Sequence, residues 1–335
     1  MAWWNRCVTG GAAAWRASRP VGRQTYPLLD ASDWAEISHA LSSRAPQGLA
    51  SIQARTPNAG EGRSRLQGRG LDYAESRAYQ AGDDMRAMHW SLLARTGKPY
   101  VRRYEEEHAA PWHALVDIHG RMRFGTRSRT KAAQAARAAL LAAGMQAAAA
   151  PQSRLSCTLW TEQGLQGHSF GAGFAAVRRM AMWLMAQTIA PPEPLAWAAD
   201  DADEEALDAW ARRILINHPA PSRVVLCSDF AWFNGHTRSA LWPVGAQVDL
   251  LAVCIADAVE VALPVLPLAH FKDGATGMEG WLETDMNVRE RFSRDSQRRR
   301  DDVSGGLQSI RARVAPIPAH ASSRDIRAEL LSLMR

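Results

Sequence analysis

Apolar positions along the chain alternate between two kinds of run. Residues 113–118, 155–160, 223–227 and 248–255 are short aliphatic or β-branched stretches, the kind buried on both faces of a parallel sheet. Between them the apolar spacing is helical: an Ala-rich segment near 130–149, another near 174–189, and a third near 203–217. The third carries Asp203, Glu204 and Glu205 in its first turn and Arg212 and Arg213 in its last, with Pro219 just beyond, as the helix dipole favours. Strands alternating with helices predict an α/β domain, a doubly wound mostly parallel sheet, over residues 111–270.

The flanks read differently. Residues 1–53 hold a tail and a short amphipathic helix with Trp34, Ile37 and Leu41 on one face, and 54–110 a small β-rich segment that opens on a Gly- and Arg-rich loop. Residues 271–335 predict a helical extension: a charged helix or two interrupted at Gly305-Gly306, then a last helix with a Ser322/Asp325 start and Ile326, Leu330 and Leu333 on one face.

Composition narrows the class. With 47% hydrophobic and 22% charged residues in 335, the chain is expected to fold around a sizeable core. No stretch offers the roughly 18 uncharged apolar residues of a membrane helix. The net charge is +6, and 37 of the 40 basic residues are arginine, Lys98, Lys131 and Lys272 being the lysines. Acidic residues interleave with the arginines, even in the strip 289–300, so a solvated helix face is expected there rather than a nucleic-acid site. Residues 1–29 hold four arginines and no acid but lack the continuous apolar stretch of a signal peptide. The four cysteines are far apart in sequence, which fits a reducing cytoplasm. The chain has no P-loop, HExxH or G-x-G-x-x-G pattern, and its histidines lie singly. Catalysis is not expected.

In an open α/β sheet, ligands bind at the carboxyl ends of strands where the winding reverses. Two strand ends carry suitable groups: Asp117, His119 and Arg121 after the first, Ser228 and Asp229 after a later one.

A run of uncommon residues then links the chain to a family. The stretch 68–86, containing Gly82, Asp83, Asp84, Met85 and Arg86, is followed by Trp90, by Arg95-Thr96-Gly97-Lys98, by the acidic run 105–107, by Val116-Asp117, by Phe124-Gly125-Thr126 and by Lys131. Together these resemble the bacterial domain-of-unknown-function family 58. The resemblance implies a von Willebrand factor A-like domain behind a small β-rich segment, and association with MoxR-type AAA+ ATPases in assembly, chaperone-like work or metal insertion. It implies no established catalytic activity.

Von Willebrand A-like domains usually end their first strand in Asp-x-Ser-x-Ser, a carboxylate and two hydroxyls that suit a hard divalent cation. This chain keeps Asp117 but places His119 and Arg121 at the two serines, with Asp229 matching the later aspartate. A guanidinium offers no lone pair and repels a cation. One reading pairs Arg121 with Asp117, Asp229 or both in place of the ion, a degenerate metal site with no metal or cofactor. Another leaves Asp117 capping its turn and His119 and Arg121 in solvent. The block Asp83, Asp84, Arg86, Trp90, Arg95 and Lys98 reads either as a docking surface or as a fold-holding Arg–carboxylate cluster about a buried Trp90; the family usually has Asp at the position of His89.

The functional expectation is a non-enzymatic protein-interaction module, cytoplasmic, serving a MoxR-type AAA+ ATPase and a second von Willebrand A-like protein. The alternative is a metal-dependent hydrolase or nuclease using Asp117 and Asp229 with acids such as Asp83 or Asp84.

Overall fold

The computed structural model describes residues 6–8, 26–42, 72–80, 85, 88–105, 110–161, 163–189, 201–218, 222–266, 268–273 and 279–333. They belong to two compact units, Asn58–Ala109 and the combination of Met1–Pro57 with Ala110–Arg335.

The larger unit is built on six strands: β1 (Trp112–Asp117), β2 (Arg154–Thr161), β3 (Gly164–Ala172), β4 (Arg223–Ser228), β5 (Asp249–Ala256) and β6 (Arg313–Pro318). Their order is β6-β5-β4-β1-β2-β3, parallel throughout except that β3 runs antiparallel to β2. The winding reverses between β1 and β4, so the carboxyl ends of these two strands flank the crevice that the topology opens. This is the expected doubly wound, mostly parallel α/β fold, consistent with a von Willebrand factor A-like domain.

Both faces of the sheet are covered, which explains the unbroken apolar strands. Ala114 and Val116 of β1 and Leu251 and Val253 of β5 pack into one core with α1 (Ala31–Ser42), α2 (Lys131–Ala149), α3 (Gly173–Met185) and α8 (Ser323–Leu333). The alternate residues Leu115, Leu226, Leu250 and Ala252 pack into the other with α4 (Asp201–Asn217), α5 (Gly235–Gln247) and the end of α7 (Met286–Ser309). A one-turn helix α6 (Ala258–Val261) follows β5.

Helix α2 is Ala-rich because it has little room. Sixteen of its 19 residues are buried, and at Gly144 an added Cβ would stand 2.4 Å from Leu41 of α1. Buried Arg137 of α2 ties α1 and α8 to this layer: it pairs with Asp33, with Glu36 at 2.8 Å, and donates to Ser323 Oγ at 2.7 Å. Arg129 reinforces the same carboxylates, reaching Glu36 at 2.8 Å. Burial pushes the Glu36 carboxyl up, but the Ser323 backbone N–H and Arg137 more than offset it and hold it down at about 2.

The C-terminal segment departs from the sequence expectation. Residues 271–335 are not a helical extension alone, since β6 is the sheet's edge strand and pairs with β5 along its whole length. Pro316 and Pro318 hid this strand from its pattern; an edge position tolerates them, and Ala315 and Ile317 still point inward. Helix α7 is continuous through Gly305-Gly306, and at Gly306 an added Cβ would lie 2.5 Å from the Phe233 ring, a close approach that glycine permits. No helix among the described residues is long and apolar enough to cross a membrane.

The smaller unit contains an antiparallel pair, Asp72–Ala78 with Tyr100–Glu105, and a helix Trp90–Thr96 that ends on Gly97 at φ +67°. His89 caps this helix, accepting the Leu92 N–H at 3.2 Å, the work an Asp would do at that place. Trp90 is 57% exposed, not the buried centre expected, because no residue of this seven-residue helix is buried. Arg95 and Lys98 are exposed as well. Asp83, Asp84 and Arg86 lie outside the described residues.

Candidate functional site: the carboxyl edge of the sheet

Strands β1 and β4 are adjacent and parallel, with Val116 opposite Cys227, so Asp117 and Ser228 emerge side by side. Ser228 donates to Asp117 Oδ2 at 2.5 Å. The Trp232 indole N–H reaches both Asp117 Oδ2, at 3.2 Å, and Ser228 Oγ, at 2.9 Å. The other carboxylate oxygen, Oδ1, accepts the His119 backbone N–H at 3.0 Å and lies 2.8 Å from His119 Nδ1. A carboxylate only accepts, so the His119 ring donates from Nδ1. Asp117 is thus 2% exposed and satisfied by protein donors on both oxygens.

The loop after β4 is held tightly. Phe230 adopts φ +53°, a left-handed conformation uncommon for a residue with a Cβ, fixed by its N–H bond to Ser228 Oγ at 3.0 Å and by complete burial of its ring. That turn sends Asp229 away from Asp117. Its Oδ2 meets the ammonium of Lys131 at 2.7 Å, and the same ammonium lies 2.5 Å from Glu260 Oε1. Lys131 opens helix α2 and its side chain is 1% exposed, against 11% for Asp229 and 18% for Glu260. Glu260 is aimed by a capping box: its Oε2 accepts the Asp257 N–H at 2.9 Å, while Asp257 accepts from Val259 N–H at 3.0 Å. Asp257 also clamps the loop after β1 through Thr126, whose N–H and hydroxyl donate to it at 2.9 and 2.5 Å.

Helix α7 lies across this edge like a strap. Three residues on one of its faces donate to backbone carbonyls below: Arg289 Nε to Leu263 at 3.2 Å, Ser296 Oγ to Glu260 at 2.5 Å, and Arg299 Nη2 to Ala231 at 2.9 Å. The arginine strip is therefore not a wholly solvated face.

Electrostatics follow from these contacts. Burial works against the Lys131 ammonium, but Asp229 and Glu260 outweigh it and hold its pKa above the ordinary lysine value. Burial pushes Asp229 up; Lys131, and after it Arg121, override this and leave it below the usual carboxylate range. Glu260 stays raised, by burial and by the Asp229 charge, despite Lys131. Arg299 is lowered by burial and by the positive charge of Arg121 nearby.

Residues 75–302, more than half of the chain, match the family described as "Protein of unknown function DUF58". The chain belongs to this family. Uncharacterized proteins of Mycobacterium tuberculosis and Mycobacterium bovis are 28% identical to it over 270 residues, 79% of either chain. Two solved structures align over 67% of this chain and 98% of theirs at 10% identity: protein BatB of Bacteroides thetaiotaomicron, TM-score 0.38, and an aerotolerance-related membrane protein of Bacteroides fragilis, TM-score 0.36.

In this DUF58 chain the structure brings Asp117, His119 and Ser228 into one hydrogen-bonded set and places Asp229 in another. Arg121 forms no ion pair with either aspartate among the described residues; Lys131 takes that role. A guanidinium on the loop after β1 approaches Asp229 closely enough to bias it, whereas the lysine at the start of α2 reaches it directly. The sequence reading missed Lys131, Glu260, Asp257 and Trp232 as parts of the edge.

A divalent cation does not fit this donor set. Both Asp117 oxygens face protein N–H and O–H donors, His119 and Arg121 replace the hydroxyl ligands, and the Lys131 ammonium already bridges the other two carboxylates. Among the described residues no group of three His, Cys, Asp or Glu side chains converges as metal ligands do.

Proposed function

We propose that this DUF58 chain is a protein-interaction module whose sheet edge recognises an acidic group of its partner without a metal ion. The observation that carries this reading is the Lys131 ammonium between Asp229 and Glu260. With those carboxylates engaged by Lys131 from inside, the Arg121 guanidinium, half-buried at the rim and in no ion pair with them, is available to a carboxylate from outside. The partner is a MoxR-type AAA+ ATPase, as the family resemblance implies, and the setting is the cytoplasm. The module recognises; it does not turn over substrate. Hydrolysis by Asp117 and Asp229 would require Asp229 to release Lys131.

The test is a binding titration of the chain against the nucleotide-free MoxR-type ATPase of the same genome, with magnesium and with EDTA. The reading requires equal affinity in both and at least about tenfold weaker binding for Arg121→Glu. A complex that dissolves in EDTA, indifference to the charge reversal, or no complex at all overturns it.

A further inference from the structure

Five of the eleven large hydrophobic side chains exposed among the described residues fall within 26 residues: Val261, Val265, Leu268, Trp281 and Met286, between 37% and 71% exposed. Backbone contacts bring the segments that carry four of them together. Thr284 donates to Pro264 O at 3.0 Å and accepts from Leu266 N–H at 2.7 Å, which sets Val265 beside the start of α7 and Met286. The strands Ala269–Asp273 and Glu279–Leu282 pair antiparallel with Ala269 opposite Leu282 and His270 opposite Trp281, so Leu268 stands at the strand end, two residues from the position that faces Trp281. Next to them opens a cleft of about 600 Å³ with Leu263, Ala262 and Met286 as its apolar floor and Arg289 and Arg294 on its wall.

A thioether, an aliphatic floor and two guanidiniums form a setting for an indole, through sulfur–aromatic and cation–π contacts. The same patch presents one, Trp281, 68% exposed. Its charges are also self-complementary. Exposed Glu283 and Asp285 stand at one end, Arg289 and Arg294, with Glu290 between them, at the other; Asp285 and Arg294 are nine residues or about 13 Å apart along α7. A two-fold axis through such a patch lays the acidic end of one copy on the basic end of the other.

We propose that this face joins two copies of the chain about a two-fold axis, the Trp281 indole of each filling the Met286–Arg294 cleft of the other, with Glu283 opposite Arg294. The surface is separate from the Arg121 edge and does not depend on its role.

Sedimentation equilibrium of the full chain across micromolar concentrations tests it. Dimer is expected, and both Trp281→Glu and Met286→Glu, exposed positions that leave the circular dichroism unchanged, weaken it at least about tenfold. The charge swap is sharper. Glu283→Arg and Arg294→Glu each place like charges across both halves of a homodimer, so each alone weakens association; mixed, they restore it as a heterodimer. A chain that stays monomeric, including one that instead binds lipid vesicles as a monomer, refutes the proposal. So does a dimer indifferent to the Trp281 and charge variants, or a mixture that fails to recover.

Discussion

Replacing Lys131 by Met probes the buried ion cluster with little change of volume. The substitution removes an ammonium that lies 2.7 Å from Asp229 and 2.5 Å from Glu260, while the Ala231 and Asp257 N–H groups, each at 2.9 Å, continue to serve the two carboxylates. Removing one partner of a buried ion pair typically costs about 3–5 kcal/mol, since the partner's charge stays behind undissolved. Here two charges stay behind, so the upper part of that range is expected at pH 8.

The loss also has a pH signature. Glu260 is raised already by burial and by Asp229, and without Lys131 it rises further. In the variant the folded state therefore binds a proton that the unfolded state has released, and stability declines as pH rises from the ordinary carboxylate range through the new folded value. The deficit relative to the parent is smaller at pH 5.5 than at pH 8 by at least about 1.4 kcal/mol, the equivalent of one pKa unit. Urea unfolding of both proteins at the two pH values measures this, and the difference cancels groups common to both. The second variant Lys131→Met/Glu260→Gln recovers part of the loss at pH 8. A deficit below about 1 kcal/mol at pH 8, or one that does not vary with pH, would refute the account of the cluster given above.

Other consequences are simpler. His113, whose Nδ1 lies 2.9 Å from Ser156 Oγ and whose Nε2 accepts from Trp210 at 3.2 Å, is held neutral by burial and by the His218 charge with its pKa at about 3. The unfolded chain protonates this residue first, so stability falls from about pH 6.5 towards pH 3, by about 2 kcal/mol at pH 5; His113→Gln flattens the slope, and an unchanged slope counts against this. Gly305→Ala, with nothing within 4 Å of the added Cβ, stabilises α7 by about 0.5–1 kcal/mol, whereas Gly245→Ala destabilises despite better helix propensity, because its Cβ would clash with the Ile310 carbonyl. Thermal unfolding should separate the two in sign. Magnesium or EDTA leaves the unfolding midpoint of the parent unchanged; a magnesium-dependent rise would mean that Asp117 or Asp229 still coordinates.

Much of this fold was readable in the residues, and the exceptions share a cause. Strands β1, β4 and β5 are apolar on both faces, so their pattern is strong. Strand β3, GLQGHSFGA, lies at an edge with most of its side chains exposed, and β6 carries two prolines there; neither position demands the pattern that marks a strand. The site divides in the same way. Asp117, Ser228 and Asp229 follow from the rule about strand ends, but Lys131, which reaches Asp229, and Glu260, which reaches Lys131, come from two helix starts that the sequence separates by 129 residues. Two signals were available. Lys131 is one of three lysines in a chain that otherwise uses arginine, and Asp257 and Glu260 have the spacing of a capping box directly after an apolar strand. Trp232 gave no such signal: its indole became part of the site only through the turn at Phe230.

That exception to arginine usage has a physical reason. Asp229 leaves the end of β4 and Glu260 leaves α6, so their oxygens approach from different directions and present no single carboxylate plane to a guanidinium fork. A compact ammonium with rotatable donors serves both, and arginine would not. The position is otherwise unfavourable: Lys131 is the first residue of α2, where the helix dipole disfavours a cation by about 0.3–1 kcal/mol. Two carboxylates at hydrogen-bond distance outweigh that penalty. Because Asp117 is held by Ser228, Trp232 and His119, and Asp229 by Lys131, neither aspartate forms an ion pair with Arg121. A guanidinium then stands at the rim of the switch point where an open aspartate site would present carboxylate oxygens, and an acidic partner is the complement it selects.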